Sequence, residues 1–116
     1  MKSETNDAAM QVALRSLGAR MDGPIALFES LDDVLFWIKD RDGRFCWVNT
    51  MMALYYGFKV REELIGLNDY DLFDEALANQ YLIDDEQVLR GRSIFSRVEV
   101  SVFNHTGRWF RTSKVP

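Results

Sequence analysis

The chain has 116 residues and a mass of 13.5 kDa, the length of about one domain. Apolar residues make up 47% of the sequence and charged residues 28%, which is ordinary globular usage and excludes intrinsic disorder. The net charge of −4, from 14 Lys and Arg against 18 Asp and Glu, argues against a nucleic-acid-binding segment, because a phosphate backbone requires a basic surface.

The single cysteine and single histidine restrict covalent and metal chemistry. Cys46 has no second cysteine for an internal disulfide, and Cys46 with His105 alone cannot form the usual Cys/His zinc site. The sequence has no apolar run typical of a signal peptide or of a membrane-spanning helix. We therefore expect a cytoplasmic protein, and a place beside the membrane in a longer protein stays open.

Residues 1–23 are expected to form a flanking helix ahead of the main domain, which we place at residues 24–116. Over residues 6–21 the apolar side chains recur every three or four positions and lie on one narrow seam. The seam consists of Met10, Leu14, Leu17 and Met21. It is too short for a true coiled coil. It covers either the sheet of its own chain or a second copy, and we expect a homodimer through it.

The next residues predict a short helix and then a hairpin. Asp22-Gly23-Pro24 indicates a break, after which Pro24 suits the first turn of a helix carrying Ile25, Leu27, Phe28 and Leu31. The continuous apolar run over residues 34–38 predicts a strand buried on both faces. Residues 39–43 form a turn with an Asp-Gly signal, and residues 45–48 return as the second strand.

Short helices are predicted in the middle of the chain. Asn49 or Thr50 caps a helix over residues 51–56, residues 61–65 form a single turn, and residues 68–73 form a further compact segment. Asp74 caps the longest internal helix, over about residues 75–90, which closes at Gly91.

The last segment predicts a second hairpin. Residues 94–103 alternate, with Val98, Val100 and Val102 on one face and polar side chains on the other. A four-residue turn over 104–107 pairs Phe103 with Arg108 and leads into a strand over residues 109–114. This pairing places Trp109, Arg111 and Ser113 on the face of the three valines.

Four segments of the chain, taken in this order, resemble PAS domains. FWIKDRDGRF over residues 36–45, followed by Val48-Asn49, is similar to their opening hairpin, and Gly66 with DYDLF over residues 69–73 is similar to the mid-domain segment of one PAS subfamily. Asp85, Val88 and Gly91 match the long-helix pattern of that subfamily, and Gly107, Trp109 and TSKVP over residues 112–116 match its final hairpin. The resemblance covers about residues 25–116.

The resemblance implies an α+β fold in which short helices and one longer helix cover one face of a five-stranded antiparallel sheet, with a cavity between them. The fifth strand of the family, which lies centrally between the first and fourth, follows the last residue of this sequence. We therefore expect two unpaired strand edges that favour pairing with another chain. Three explanations for the missing fifth strand stay open: the domain is truncated, only part of its residues are present in this sequence, or the strand is exchanged with a second copy by domain swapping.

The resemblance also implies a sensory module from a bacterial sensor histidine kinase of a two-component system or from a helix-turn-helix transcription regulator. Haem-binding relatives use a histidine on the long helix, whereas His105 lies in a polar turn. Flavin photosensors use a cysteine in an Asn-Cys-Arg motif, whereas Cys46 follows Phe45 and reads as a buried inert residue. Haem, flavin and covalent chromophores are thus disfavoured, and an unknown small ligand stays open.

No catalytic constellation is predicted. A nucleophile needs an adjacent base, the sequence has no G-x-S-x-G, G-x-G-x-x-G or Walker motif, and the abundant carboxylates fall where caps and turns require them. We therefore expect no enzyme activity and no metal site.

A ligand cavity, if present, is expected to be lined by aromatic and a few polar side chains. On the long helix, Asp85 falls on a stripe formed by Ala78, Tyr81, Leu82, Val88 and Leu89. A carboxylate facing a core needs a partner, so one hypothesis pairs Asp85 with Arg111 or lets Arg111 bind an anionic ligand. The alternative is that both groups point to solvent or to backbone, and that the aromatic side chains only fill the core. The candidate lining consists of Phe36, Tyr55, Tyr70, Phe73, Tyr81, Asp85, Phe95, Trp109, Arg111 and Ser113.

The sequence therefore predicts a sensory domain that binds a small molecule and passes a signal to an output domain. A ligand-free dimerisation or protein-interaction module is the alternative. We expect no direct contact of this segment with nucleic acid and no membrane span.

Overall fold

A computed structural model of the chain describes residues 22–116, so the predicted seam over residues 6–21 lies outside the described residues. The described part consists of two compact units, residues 22–67 and residues 68–116. Each unit contains one two-stranded antiparallel sheet. Within the described residues β1 pairs with β2 and β4 pairs with β3, and no further strand joins either pair.

The first unit begins with helix α1 (Asp22–Glu29), followed by strands β1 (Trp37–Lys39) and β2 (Phe45–Val48), helix α2 (Thr50–Tyr55) and a single 3₁₀ turn (Arg61–Glu63). Helix α1 already includes Asp22 and Gly23, where the sequence predicts a break. Pro24 is tolerated there because the amides of a first helical turn have no intrahelical partner.

The first hairpin is shorter and less buried than predicted. Strand β1 has three residues instead of five, and all three are only half-buried, so the prediction of a strand buried on both faces is wrong. The turn between the strands is as predicted: the Asp40 carboxylate accepts hydrogen bonds from the amides of Asp42 and Arg44, and Gly43 has the positive φ of 80° that a side chain disfavours. Strand β2 is almost wholly buried.

The apolar core of the first unit lies around strand β2, helix α2 and the 3₁₀ turn. Ile25 of α1 and Trp47 of β2 pack together with the partly buried Phe36 and Ile38. Phe28 stacks on Phe36 with ring centroids 4.1 Å apart. The other buried apolar residues of the unit are Phe45, Val48, Met52, Ala53, Tyr56, Leu64 and Ile65.

The second unit consists of helices α3 (Asp69–Leu72) and α4 (Glu75–Leu89) and strands β3 (Ile94–Phe103) and β4 (Thr106–Lys114). The predicted cap at Asp74 is confirmed, because its side chain accepts a hydrogen bond from the Leu77 amide. The compact segment over residues 68–73 contains helix α3, which Asn68 caps by accepting a hydrogen bond from the Tyr70 amide. Helix α4 ends before Gly91, which has a φ of 93°.

The second hairpin turns over two residues rather than four. Asn104 and His105 both have positive φ, as a tight two-residue turn of type I′ requires, and Phe103 pairs with Thr106 rather than with Arg108. The predicted register is therefore wrong by two residues along β4. Because side chains alternate with period two, the shift leaves every side chain on its predicted face.

Candidate functional site

Helix α4 presents polar side chains to the hairpin of the second unit. Asp84 and Asp85 lie three and four residues after Tyr81, so both are neighbours of Tyr81 on the helix surface. Ala78 and Val88, buried at either end of this row, are the only apolar residues of residues 68–116 that are fully buried. The remaining buried residues of this unit are the polar or charged Asp69, Asp84, Ser101, Thr112 and Lys114.

Three polar contacts connect α4 to the hairpin. The Tyr81 hydroxyl donates to Ser101 Oγ at 3.0 Å. Lys114 Nζ donates to Asp85 Oδ1 at 3.1 Å and lies 5.1 Å from the centroid of the Tyr81 ring. The Arg97 guanidinium donates to both oxygens of Asp84. We call Tyr81, Asp84, Asp85, Arg97, Glu99, Ser101 and Lys114 the polar cluster.

Arg97 is the most heavily paired cation of the polar cluster. Besides Asp84, it contacts Glu99 Oε2 through Nη2 at 2.9 Å. The hydrogen bond to Asp84 raises the pKa of the Arg97 guanidinium above its already high ordinary value. Since the Asp84 side chain is only 7% exposed, this carboxylate depends on Arg97 for its counter-charge.

The hydroxyl of Tyr81 stays protonated to higher pH than an exposed tyrosine. Burial raises the pKa of Tyr81 because the phenolate would be poorly solvated, and the hydrogen bond with Ser101 only partly offsets that effect. The ring also packs edge-on against Phe73, with centroids 5.1 Å apart. Tyr81 and Phe73, two of the predicted lining residues, are thus brought together.

The predicted pairing of Asp85 with Arg111 is wrong. Asp85 does face the hairpin, as the sequence suggests, but its ion pair is with Lys114. Arg111 pairs in register with Val98 and is exposed on the opposite face of the hairpin. The predicted helix stripe is also partly wrong, because Leu82 and Leu89 are exposed and Asp84 takes a place in the buried row.

The two faces of the hairpin differ in burial. The side facing α4 is mostly buried or half-buried and carries both polar and apolar side chains, namely Arg97, Glu99, Ser101, Thr112 and Lys114 together with Ile94, Phe103 and Phe110. The other side is exposed and apolar. We call this second side the outer face; it consists of Phe95, Val98, Val100, Val102, Trp109, Arg111 and Ser113.

Four predicted lining residues therefore lie on the outer face and not beside α4. Trp109 is 74% exposed and Phe95 is 71% exposed, and Arg111 and Ser113 are exposed as well. The Ser113 hydroxyl accepts a hydrogen bond from the Ser96 amide at an irregularity of the ladder. The sequence predicted which side chains share a face but not which face the helix covers.

The remaining predicted lining residues are scattered. Phe36 and Tyr55 belong to the first unit, where Phe36 packs edge-on against Trp47 and Tyr55 packs edge-on against Tyr56. Tyr70 belongs to the second unit, is largely exposed and donates its hydroxyl hydrogen to Asn79 Oδ1. The structure thus groups Phe73, Tyr81 and Asp85 with residues that the sequence did not single out, namely Asp84, Arg97, Ser101 and Lys114.

One signal in the sequence could have identified these residues. Arg97, Glu99 and Ser101 alternate with the valines of β3, and Thr112 and Lys114 alternate with Arg111 of β4, so all five share one face. Asp84 and Asp85 then offer a carboxylate for each of the two cations on that face. The valines and Trp109 on the other face led the sequence analysis to expect that face, and not the one with the two cations, to lie beside α4.

The first unit contains one buried polar residue that connects several segments. Asn49, which is 0% exposed, caps α2 by accepting a hydrogen bond from the Met52 amide and also accepts one from the Phe36 amide. Its side-chain amide donates to the carbonyls of Phe28, at 3.1 Å, and Val34, at 2.7 Å. Both lone pairs of its carbonyl oxygen and both hydrogens of its amide are therefore directed at backbone groups.

A second contact holds α1 close to the same corner. The Glu29 carboxylate accepts hydrogen bonds from the Thr50 amide and from Arg61 Nη1. The Arg61 guanidinium lies over the Trp47 ring, 5.4 Å from its centroid. Asn49 and Glu29 therefore attach residues 22–34 to the β2–α2 corner from two sides.

His105 lies in a turn, as the sequence predicts, whereas Cys46 lies in the predicted strand but is less buried than predicted. Cys46 is half-buried in β2, and its pKa is raised by burial and by the negative charge of Asp40, so the thiol is protonated at neutral pH and weakly nucleophilic. His105 is exposed in the turn of the second hairpin. Among residues 22–116, no three His, Cys, Asp or Glu side chains are grouped as a metal site would require, and no helix combines the length and apolarity needed to cross a bilayer.

The chain was compared with known proteins at three levels. A family model described as the PAS fold matches residues 28–116, which include both hairpins, α2 to α4 and the whole polar cluster. The comparison with curated proteins and the comparison with solved structures each returned no match. The element order, with a hairpin, short helices, one longer helix and a second hairpin, agrees with that family match. The chain belongs to the PAS family, whose members are typically sensory and interaction modules.

Proposed function

We propose that this chain is the sensory domain of a cytoplasmic signal-transduction or transcription-regulatory protein and has no catalytic activity of its own. It binds a small molecule beside the polar cluster and passes the signal to an output domain. The observation that supports this proposal is the polar cluster itself. A helix–sheet interface is ordinarily apolar, and perturbed ionisable groups concentrate at functional sites.

The polar cluster favours a polar ligand over an aromatic or apolar one. It combines the carboxylates of Asp84, Asp85 and Glu99 with the cations of Arg97 and Lys114. A ligand with its own charged or hydrogen-bonding groups can replace one of these ion pairs without leaving a buried charge unpaired, whereas an apolar ligand cannot. The pair of Asp85 with Lys114 is the candidate for exchange, because one hydrogen bond joins these two side chains, whereas Arg97 binds Asp84 through two.

Signalling would follow from a shift between two packings of α4 against the hairpin. A ligand that replaces the Asp85–Lys114 pair favours the packing in which these side chains are apart. The shift can be no larger than the difference between the affinities of the ligand for the two packings. The output domain responds to the fraction of molecules in each of the two packings.

Native mass spectrometry of the freshly purified protein tests this proposal. We expect a co-purified mass that is lost on denaturation. The co-purified mass should be absent from the Lys114→Gln variant and retained in the Arg111→Gln variant. Both variants remove one cation from β4, but only Lys114 lies on the face of the polar cluster. A wild-type spectrum with only the mass of the chain, repeated after incubation with a mixture of charged metabolites, would contradict ligand binding.

A ligand-free dimerisation or interaction module is the second candidate function. It is supported by the hydrogen bonding of the described residues, in which each buried side-chain nitrogen and oxygen already has a partner. The polar cluster then needs no ligand and serves to fix α4 on the hairpin. For the ligand-binding domain and for the ligand-free module alike, we propose a homodimer through the seam of Met10, Leu14, Leu17 and Met21.

A further inference from the structure

The ion pair of Asp85 with Lys114 restricts the chemical class of ligand that can enter the polar cluster. The Lys114 side chain is 8% exposed and the Asp85 side chain is 20% exposed. Separating the two therefore leaves each charge poorly solvated unless the ligand supplies a new counter-charge for it. A ligand that takes the place of this pair has to replace both partners.

Ligands with a single charge do not meet this requirement. An anion pairs with Lys114 but takes the cation away from Asp85, and it adds a negative charge to a cluster in which three carboxylates already face two cations. A cation pairs with Asp85 but supplies no counter-charge for the displaced Lys114. A neutral polar ligand offers hydrogen bonds and no counter-charge for either side chain.

Lys114 marks the position that the positive charge of a ligand can take. Its ammonium nitrogen is 3.1 Å from Asp85 Oδ1 and lies over the Tyr81 ring, 5.1 Å from the ring centroid. A carboxylate beside the face of an aromatic ring attracts an ammonium group through its charge and through the quadrupole of the ring. The same two groups can therefore bind the ammonium of a ligand once Lys114 has moved.

Lys114 is able to move and to receive the negative charge of the ligand. It is the last residue of β4, and a flexible four-carbon stem carries its ammonium. An α-amino acid has its ammonium and carboxylate about 3 Å apart, and with a hydrogen bond of about 2.8 Å at each end it bridges protein charges roughly 8 Å apart. Because the Asp85 side chain is short, Lys114 makes most of this movement.

From the charge balance and the reach of Lys114 together, we infer, resting on the proposed function, that the ligand is a small zwitterion of the α-amino acid class. Its ammonium binds Asp85 and lies on the Tyr81 ring, and its carboxylate binds Lys114. Ligand entry separates Asp85 from Lys114 and keeps both charges paired, which is the change that favours the second packing of α4 against the hairpin.

Native mass spectrometry of the full chain with matched mixtures tests the inference. The first mixture contains the standard α-amino acids, the second the corresponding amines without the carboxylate, and the third the corresponding carboxylic acids without the ammonium. We expect an adduct with the amino acids only. An adduct of equal or higher occupancy with the amines or the acids, or a co-purified ligand that is not a zwitterion, would overturn the inference and leave the proposed function standing. No adduct with any mixture and no co-purified mass would overturn both.

The affinity of the bound amino acid, measured by calorimetry, gives the second readout. Asp85→Asn and Lys114→Gln should each weaken binding at least tenfold, as expected for a lost hydrogen bond between charged groups. The double variant replaces the ion pair by two amides and leaves neither charge unpaired, so it serves where a single variant fails to fold. Glu86→Gln and Arg111→Gln are the matched controls, because both residues are exposed. Unchanged affinity in the double variant, or an equal loss in the controls, would contradict the assignment.

The pattern of the losses distinguishes ligand contact from a purely structural effect. In Lys114→Gln the preference for the amino acid over its amine should disappear, because the carboxylate has lost its partner. In Asp85→Asn the preference over the carboxylic acid should disappear in the same way. Variants that weaken the binding of all three compounds equally would show that the Asp85–Lys114 pair only supports the fold, and the inference would fall.

Discussion

Asn49 combines two roles that a single substitution can separate. Its oxygen caps α2, whereas its nitrogen binds the carbonyls of Phe28 and Val34. Aspartate has the same shape and keeps the acceptor, but it has no donor and directs a negative charge at two carbonyl oxygens. The buried amide thus holds the segment before β1, and the cap alone does not require that amide.

We expect Asn49→Asp to release residues 22–34 while leaving α2 formed. The amides of Ser30 and Leu31 donate hydrogen bonds to carbonyls of α1, and their hydrogen exchange should become faster. The amide of Ala53, which lies in α2 and donates to the Asn49 carbonyl, should stay slow. The unfavourable free energy is about 1–3 kcal/mol for each carbonyl left without a donor. Asn49→Ala, which removes donor and acceptor together, is the control and should accelerate exchange in both segments. Equal exchange in the two variants would show that the cap and the attachment are not separable.

Tyr81 makes the stability of the second unit sensitive to alkaline pH. Burial raises the folded-state pKa of Tyr81 above the ordinary value near 10. Above that value the unfolded chain loses the phenolic proton first, so it binds fewer protons than the folded chain and the free energy of unfolding falls as pH rises.

Urea unfolding at pH 9 and at pH 11 should therefore show a larger loss of stability for the wild type than for Tyr81→Phe. Below pH 9 the two proteins should differ only by the hydrogen bond to Ser101, about 0.5–1.5 kcal/mol. Tyr70→Phe is the matched control, because Tyr70 is 45% exposed and its ring is therefore better solvated than that of Tyr81. An identical pH dependence for wild type and Tyr81→Phe would contradict the assigned burial effect.

At the scale of elements, ion pairs and hydrogen bonds connect α4 to the hairpin. The Asp84 carboxylate is nearly buried, while Arg97 retains partial access to solvent. Removing Arg97 leaves a buried carboxylate to which, among residues 22–116, only Gln80 donates a side-chain hydrogen bond. Leaving that charge unpaired is more unfavourable than removing both charges.

A double-mutant cycle measures this coupling. Arg97→Gln should lower the free energy of unfolding by about 1–3 kcal/mol, and the double variant Asp84→Asn with Arg97→Gln should lose less than the sum of the two single variants. Glu86→Gln is the control partner, since Glu86 is exposed on the same helix, and its effect should add to that of Arg97→Gln. Additivity for Asp84 as well would mean that the ion pair contributes nothing to the attachment.

The elements themselves could be predicted from the sequence, because caps, turn glycines and alternation are local signals. Asn49, Asp74 and Gly91 mark the helix ends that the structure contains. The face that α4 covers could not be predicted from the alternation alone, because both faces carry apolar side chains: three valines and Trp109 on one, Phe103 and Phe110 on the other. The ion pairs with Asp84 and Asp85 join segments that are distant in sequence, and such contacts leave no local signal.

At the scale of the whole molecule, the proposed dimer interface and the outer face are different surfaces. A two-fold contact through the outer face would bring two Arg111 guanidinium groups together, which disfavours self-association there. The seam over residues 6–21 is the surface that the sequence offers, because Met10, Leu14, Leu17 and Met21 recur at helical spacing without a charged residue among them.

Leu17→Glu should weaken self-association at least tenfold, because each copy loses an apolar contact of about 1.5–3 kcal/mol and gains a charge that repels its counterpart. Sedimentation equilibrium over a range of protein concentrations measures the effect. Ser16→Glu is the matched control: it adds the same charge one residue away from the seam and should leave the dissociation constant within about twofold, a difference of less than 0.5 kcal/mol. Trp109→Glu, on the outer face, should also leave it unchanged. If Trp109→Glu dissociates the dimer while Leu17→Glu does not, the seam is not the dimer interface and two copies of the outer face meet despite Arg111.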